Sequence, residues 1–582
     1  MQPPPATRPT DLRYRLADGP NQTMFTSATN HTGSRFSAAT ECKPEKNALV
    51  PLVRKPEVGA LIVWLVACSA VVFSRTLRLP YALDDLDHLH AVTTFRSGQI
   101  SPSTFFLLNH NEHILPMLRL YFLVATRISG LDAWALHVMM FLTYVAGAIG
   151  CAWIFFSLTR SRLGAFLAGT IYASAGGFAG SIVWLSNQFS MSGTALIYAM
   201  AVLVSPYARR RWSIVPVLAL VLVAATGLGA SAVAALSIPA YLYLAKPESI
   251  PLGKRNLMIG ASLLLSIAIL LAIRWIMALQ GMSHALTFTG AGVSAGVFLI
   301  LTAPGRFLLA WVPAGELGLP LDLAASSLGW ILLAATLRWL TKPMRVLLAA
   351  LWIADCLLVL LIGLGRYRDT YLELFFTDRY YFFFLLPLTL QAAAVLERAA
   401  VRTLRDGSRF RKAVVACALG CILPAFLAMA HSRLDQNMPW AVFKDSKRSL
   451  QEAKVLAKIL ASEAAKEDLH LADGPLRFPG VHKEHIALSC IVFTQFPHGL
   501  PGVSWNFSRN PQTSVEWPWN VPPISDTDAA VENQILDKWG RIEKRRPYSC
   551  VIGGQIRDIA DPGILSCADA ANASGTAGIK LR

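Results

Sequence analysis

Residues 58–76 read Val-Gly-Ala-Leu-Ile-Val-Trp-Leu-Val-Ala-Cys-Ser-Ala-Val-Val-Phe-Ser-Arg-Thr, and the chain then turns abruptly ionisable at Tyr81-Ala-Leu-Asp-Asp-Leu-Asp-His-Leu-His90. The first stretch is long and apolar enough to cross roughly 30 Å of hydrocarbon, which predicts a membrane span over about 57–75. The second places three carboxylates and two imidazoles directly beside that span. Ionisable groups packed against apolar elements are costly there unless they do something, so this junction is the first candidate for chemistry. A single acidic residue beside a membrane would be an ordinary solvated loop residue. Five ionisable groups together are harder to read that way.

The rest of the chain supports a membrane protein. Of its 582 residues 54% are hydrophobic and 15% charged, with mean hydropathy +0.45, against about 25% charged in ordinary soluble domains. Further spans are expected at about 135–158, 164–183, 189–206, 212–229, 230–245, 257–279, 325–341, 344–364, 379–396 and 413–430, about eleven in all. Residues 112–130 are apolar but carry Arg119 and Arg127, which predicts an interfacial amphipathic helix with Pro116 in its first turn. Residues 285–324 are apolar and interrupted by Gly and Pro, and read as a re-entrant or interfacial piece.

The net charge of +17 is concentrated in loops between spans rather than in one stripe with interleaved aromatics, which argues against a nucleic-acid partner. Arg160–Arg162, Arg209–Arg211, Lys246–Arg255, Lys342–Arg345 and Arg398–Lys412 read as cytoplasmic anchors under the positive-inside rule. With eleven spans and the N-terminus inside, every one of these loops falls inside. Segment 79–112, the loop Trp184–Gln188, the loop 365–378 and the tail from His431 then fall outside. A bacterial inner membrane, with a periplasmic tail, is the expected setting.

Three regions follow: a disordered cytoplasmic tail over 1–55, rich in Pro, Ser, Thr and Asn; a transmembrane domain over 56–430; and an extracytoplasmic C-terminal domain over 431–582. The last is polar, with an amphipathic helix expected at about 447–465 and strand-like pieces such as Cys550-Val-Ile552, and reads as a small α/β domain. The nine cysteines show no CxxC and no zinc-like spacing. Cys490, Cys550 and Cys567 lie in the tail, where an oxidising compartment would allow two of them to pair.

Transfer of a sugar to a hydroxyl needs a base for the acceptor proton and cations for a phosphate leaving group. Asp84 or Asp85 suits the base. Asp87, His88 or His90 can orient it, and Asp85, Asp87 and His88 can hold a divalent cation such as Mg or Mn if one is used. Asn109-His-Asn-Glu-His113 opens the interfacial helix and brings Glu112 and His113 near the same surface, although a plain helix start with favourable acidic groups explains it too. Arg366 and Arg368, and Arg379 with Tyr380, lie where the positive-inside rule disfavours arginine. The planar fork of a guanidinium suits a carrier-lipid phosphate, with interfacial snorkelling as the bland alternative. Trp184, Asn187 and Gln188 offer a stacking ring and two amides for a sugar, and a membrane-interface tryptophan explains Trp184 as simply.

Acidic residues after the first span, a His-x-x-Pro opening an interfacial helix, alternating short loops and a late Arg-Tyr together resemble the GT-C class of integral-membrane glycosyltransferases. The resemblance covers about residues 57–430 and is nearest to the protein mannosyltransferases, the lipid A aminoarabinose transferases and their Rgt-like bacterial relatives. It implies an all-α polytopic GT-C fold and a polyprenyl-phosphate-linked sugar donor, with a lipid, glycan or protein acceptor. It also implies an essential acidic residue in the first outside loop, which falls on Asp84 or Asp85. The family's His-Pro feature maps onto His113, here separated from Pro116 by Ile114 and Leu115, and its Arg-Tyr feature onto Arg379 and Tyr380. Two alternatives stand beside a glycosyltransferase. One is an O-antigen-type polymerase or ligase, with its key loop later in the chain. The other is a lipid or solute transporter, which calls for ionisable residues inside spans, and Arg274 and Asp355 are the clear instances.

Overall fold

The computed structural model describes residues 56–81, 85–96, 98, 100–107, 109–110, 113–130, 132–178, 185, 189–248, 250–279, 289–312, 319–365, 378–405, 423–435, 548–552 and 555–559. Over these residues the chain is a helical, multi-pass membrane protein. The expected tail 1–55, the helix at 447–465, Cys490 and Cys567 lie outside them.

Helix α1 (Pro56–Phe73) continues as a 3-10 turn to Arg78. Short helices α2 (Asp85–Arg96) and α3 (Pro102–Leu107) follow, then a two-residue ladder β1–β2 (Asn109–His110, His113–Ile114) and helix α4 (Pro116–Ser129). Next come α5 (Trp134–Thr159), α6 (Arg162–Ala173), α7 (Phe189–Val204), α8 (Ile214–Gly227), α9 (Ser231–Ala234), α10 (Ser237–Ala245) and α11 (Leu252–Leu279). The remaining helices are α12 (Gly290–Leu308), α13 (Leu319–Thr336), α14 (Lys342–Gly365), α15 (Leu385–Arg405) and α16 (423–435). In the tail, β3 (Tyr548–Ile552) and β4 (Gln555–Ile559) pair antiparallel, Cys550 opposite Arg557.

Among the described residues, seven helical stretches are long and apolar enough to cross a membrane: Pro56–Arg78, Trp134–Thr159, Leu252–Leu279, Gly290–Trp311, Pro320–Trp339, Lys342–Leu364 and Arg379–Thr403. All but Gly290–Trp311 fall where spans were expected. The expected spans at 189–206, 212–229 and 230–245 appear as shorter apolar helices, and of 413–430 only 423–430 is described. Helix α11 shows why lipid is needed. Leu264, Leu271 and Trp275 are each more than 60% exposed, a face no aqueous protein presents along a whole helix.

Two expectations are corrected. The span expected over 164–183 stops being helical at Ala173, after twelve residues or about 18 Å. There the Ser174 hydroxyl donates to the Thr170 carbonyl at 2.7 Å, and the next turn brings bare backbone against two other segments. A Cβ on Gly176 would lie 2.3 Å from the Ala430 carbonyl oxygen, and one on Gly177 2.6 Å from the Ala310 Cα. The glycines end this helix early in exchange for close approach. The second correction is the converse. Residues 290–308, expected as part of a Gly- and Pro-broken piece, form one continuous helix through Pro304. Gly292 and Gly296 are spaced as Gly-x-x-x-Gly, and Gly296 and Gly363 meet so closely that a Cβ on Gly363 would lie 2.4 Å from the Gly296 nitrogen. In a membrane, small residues at this spacing let helices pack backbone to backbone, so here they build α12 against α14.

Connections between elements sort the loops by end of the bundle. Arg162 pairs with Glu57 at 2.7 Å, joining the start of α6 to the start of α1. Lys254 Nζ donates to the Ala208 carbonyl at 2.7 Å, joining the basic loops around 209–211 and 246–255. The Arg402 guanidinium lies 5.7 Å over the Trp339 ring, joining the basic segments 338–345 and 398–405. At the other end of α1, Arg75 pairs with Asp435, and His431 Nδ1 contacts the Val72 carbonyl at 3.2 Å. The tail therefore leaves the bundle at the end where α1 runs into the acidic junction.

Candidate active site

Helix α2 begins at Asp85, and its core-facing stripe is Asp85, His88, Leu89 and Val92, the i, i+3, i+4, i+7 pattern of an amphipathic helix. The pattern usually carries apolar residues; here two of the four positions are ionisable, and both are fully buried. Asp85 stands in the first turn, where unsatisfied backbone N–H groups favour negative charge. Asp84, the other candidate base, lies outside the described residues, as do the side chains of Asp87 and His90.

The facing element is α4. As expected, Pro116 opens it at its first position, where the missing N–H costs nothing. Its fourteen residues reach about 21 Å, too short to span. Phe122 forms the floor of the junction, its ring 5.3 Å from the His88 ring and stacked at 5.8 Å on Tyr81.

One turn before Phe122 comes Arg119, which with Arg127 marked this segment as an interfacial amphipathic helix. Arg127 is exposed, but Arg119 is only 2% exposed. Eight residues on a helix leave two side chains about 80° apart, enough for one to face the core and the other not. Arg119 donates through Nη1 to the Phe105 carbonyl and lies 5.7 Å over the Phe105 ring. Its Nε has no partner among the described residues. Burial pushes its guanidinium down to about 10, so it is still a cation at neutral pH. On α2, which packs on α4, the buried carboxylate of Asp85 belongs to the same junction.

A second corner is built from the 3-10 turn Asp378–Phe384 that leads into α15. Arg379 donates from Nη2 to the Tyr380 hydroxyl at 3.2 Å and lies 5.0 Å over that ring. Tyr380 is buried and meets Phe189, the first residue of α7, edge to face at 6.3 Å. Arg379 and Tyr380 are thus brought together as one unit, beside the helix that directly follows Trp184–Gln188 in the chain. Trp184, Asn187, Gln188, Arg366, Arg368 and Glu112 lie outside the described residues. His113 pairs with His110 in the β1–β2 ladder, and its side chain too is undescribed.

Sequence reasoning missed a third group. Arg306 and Asp322 lie 3.6 Å apart, 7% and 2% exposed, with Arg433 also buried and acting on Asp322. The signal was present, since ionisable residues in apolar stretches are unusual, but both fell in the segment read as broken. Between α6, α7, α10, α14 and α15 lies a small cavity of about 30 Å³, lined by Tyr172, Asp355, Phe382 and Phe383 among others. That is room for about one water and not for a sugar. Among the described residues no three His, Cys, Asp or Glu side chains are grouped to hold a metal ion; of Asp85, Asp87 and His88, two have described side chains, both buried.

No protein-family model and no curated protein sequence matches the chain. Among solved structures it is similar to the archaeal oligosaccharyltransferase AglB from Archaeoglobus fulgidus, determined with an inhibitory peptide and a dolichol-phosphate (14% identity, 78% of this chain and 65% of that one, TM-score 0.42). It is similar to the same organism's oligosaccharyltransferase tethered to an acceptor peptide containing the NVT sequon (13%, 76% and 64%, TM-score 0.41). It is also similar to ArnT from Cupriavidus metallidurans in the apo state (15%, 78% and 86%, TM-score 0.43). The chain thus spans just under two thirds of the archaeal chains. Likeness of this degree carries no argument about activity, which rests on the chain's own residues.

Proposed function

We propose that the chain is a membrane glycosyltransferase of GT-C type that moves a sugar from a polyprenyl-phosphate carrier to an acceptor hydroxyl on the extracytoplasmic side. The observation that carries this reading is the acidic junction. Directly after the first span, a carboxylate and an imidazole are turned into the core on one helix face, against a helix that buries a guanidinium.

In this reading Asp84 or Asp85 takes the proton of the acceptor hydroxyl. The acceptor oxygen bonds to the anomeric carbon as the bond from that carbon to the phosphate oxygen breaks, its electron pair leaving with the phosphate. His88, three residues along the same buried face, and Arg119, on the helix packed against it, are the other ionisable groups of that junction. Arg379, backed by Tyr380, receives the phosphate, with Arg366 and Arg368 as further candidates, since paired guanidinium donors suit a phosphate monoester or diester. A direct displacement of this kind inverts the anomeric centre, and no step here passes through a metal ion.

The test offers purified full-length chain, in lipid, a panel of radiolabelled polyprenyl-phosphate sugars with candidate acceptors, with and without Mg or Mn. Consumption of one donor by wild type but not by Asp84→Asn/Asp85→Asn is expected. Equal consumption by both would sink the reading. The buried Arg306–Asp322 pair favours transport as the second reading. In that case Asp322→Asn would stop movement of solute or lipid across vesicles, while Asp84→Asn/Asp85→Asn would not.

A further inference from the structure

Helix α4 turns two unlike faces outward and inward. Leu118, Arg119, Phe122, Ala125 and Thr126 are buried, whereas Leu120, Val124 and Ile128, at i, i+4 and i+8, are 38%, 40% and 60% exposed. The helix buries an arginine and shows an apolar stripe, the reverse of a water-facing amphipathic helix. Beside the stripe runs an open groove of about 250 Å³, lined by Leu123, Val124, Ile128 and two exposed arginines, Arg96 and Arg127. Arg96 comes from the last turn of α2 and reaches the Thr126 carbonyl of α4 through Nη1 at 3.5 Å, which brings it alongside Arg127. Among the described residues neither arginine is paired with a carboxylate.

We propose that this groove binds an anionic glycerophospholipid of the surrounding leaflet, its phosphate between Arg96 and Arg127 and an acyl chain along Leu123, Val124 and Ile128. Two like charges held at one groove repel each other until an anion sits between them, and paired guanidiniums suit phosphate oxygens. The apolar lining suits a chain and not a free phosphate, and a helix lying at the interface puts both at the right depth. The carrier phosphate of the proposed reaction is a poor occupant. Arg96 is eleven residues along α2 from Asp85, on the order of 16 Å, too far for a phosphate that must leave from a sugar held at that carboxylate. The site therefore goes beyond the catalytic reading and does not depend on it.

The experiment is native mass spectrometry of the full-length chain in mild detergent, titrated separately with phosphatidylglycerol, phosphatidylcholine and undecaprenyl phosphate. Wild type is compared with Arg96→Gln/Arg127→Gln and with Arg96→Lys/Arg127→Lys. One tightly retained phosphatidylglycerol is expected, weakened about fivefold per arginine removed and about 30-fold in the double glutamine variant. The lysine variant, which keeps the charge, is expected to restore much of it. Phosphatidylcholine should be held no better by wild type than by the glutamine variant. Retention of phosphatidylglycerol that is unchanged by the glutamine pair would overturn the proposal. So would arginine-dependent binding in which undecaprenyl phosphate displaces phosphatidylglycerol, since the groove would then be a carrier site. Both arginines are exposed, so folding is expected to survive, checked by monodispersity. Asp84→Asn/Asp85→Asn should retain the lipid as wild type does, which separates failure of this inference from failure of the catalytic one.

Discussion

Two helices each hide a carboxylate, and they hide it in different company. Asp85 on α2 is fully buried at a helix N-terminus, with His88 on its own face and the cation of Arg119 on the helix opposite. Asp355 on α14 is 4% exposed in the middle of an apolar span, and its Oδ2 has no hydrogen-bond partner among the described residues. Its surroundings are Leu351, Met200, Phe382, Phe383 and Leu386, with the Tyr172 hydroxyl, itself unpartnered, across a cavity the size of a water. Burial is equal and the neighbours are not. A base needs partners that hold its charge and a path for its proton; Asp355 has neither among its described neighbours, so burial alone does not mark chemistry.

The comparison breaks most readily at the acidic junction. Asp84→Asn/Asp85→Asn, measured as turnover on the donor identified above, should lower the rate by about 10²–10⁴-fold, the usual worth of a positioned base, with the protein still monodisperse. A loss of less than tenfold would place the chemistry elsewhere. Next in size is Arg119→Met. It removes the buried donor to the Phe105 carbonyl, and leaving a buried acceptor unsatisfied costs about 1–3 kcal/mol. Thermal unfolding in detergent should show a large drop that Arg119→Lys partly restores. If Arg119→Met melts with wild type, the guanidinium's bond to the Phe105 carbonyl contributes nothing to stability.

A packing change sharpens the Asp355 side. Asp355 lies on α14 two turns before Gly363, where α14 meets Gly296 of α12 with backbone nearly touching backbone. Gly363→Ala adds a Cβ where there is room for none, so the two helices must part, at a cost of about 1–3 kcal/mol. If the seal they form is what keeps water from Asp355, amide exchange along α14 should rise in this variant and stay unchanged around α2. Equal change in both regions would mean that the bundle loosens as one body.

How much of this was legible beforehand follows from what each feature depends on. The first span, the acidic cluster behind it and the Pro116 helix start depend on composition and on local rules, and all could be placed from residues 57–130 alone. The burial of Arg119 could not, because periodicity gives the angle between Arg119 and Arg127 but not which of them has a neighbour. Gly292, Gly296 and Pro304 pointed the wrong way. Glycine reads as a breaker until a second helix is known to lie against it, and with that misreading Arg306 and Asp322 went unnoticed as a buried pair. Arg379 and Tyr380 were singled out together as one Arg-Tyr feature, and the edge-to-face contact of Tyr380 with Phe189 needs the fold.

The smallest expected effect is also the sharpest test of the comparison. Asp355→Leu replaces an unpartnered buried carboxyl by an apolar group of similar shape, and the cavity beside it can take the slight excess. Such replacements are neutral or stabilising, so the unfolding midpoint should hold or rise by an amount worth about 1 kcal/mol. Asp355→Asn should leave sugar transfer within about twofold of wild type, because nothing in its surroundings distinguishes a carboxyl from an amide. Should Asp355→Asn instead abolish function while Asp85→Asn does not, the two carboxylates would exchange roles. The intramembrane one would then carry the activity, which is the pattern a transporter shows and a glycosyltransferase with an outside base does not.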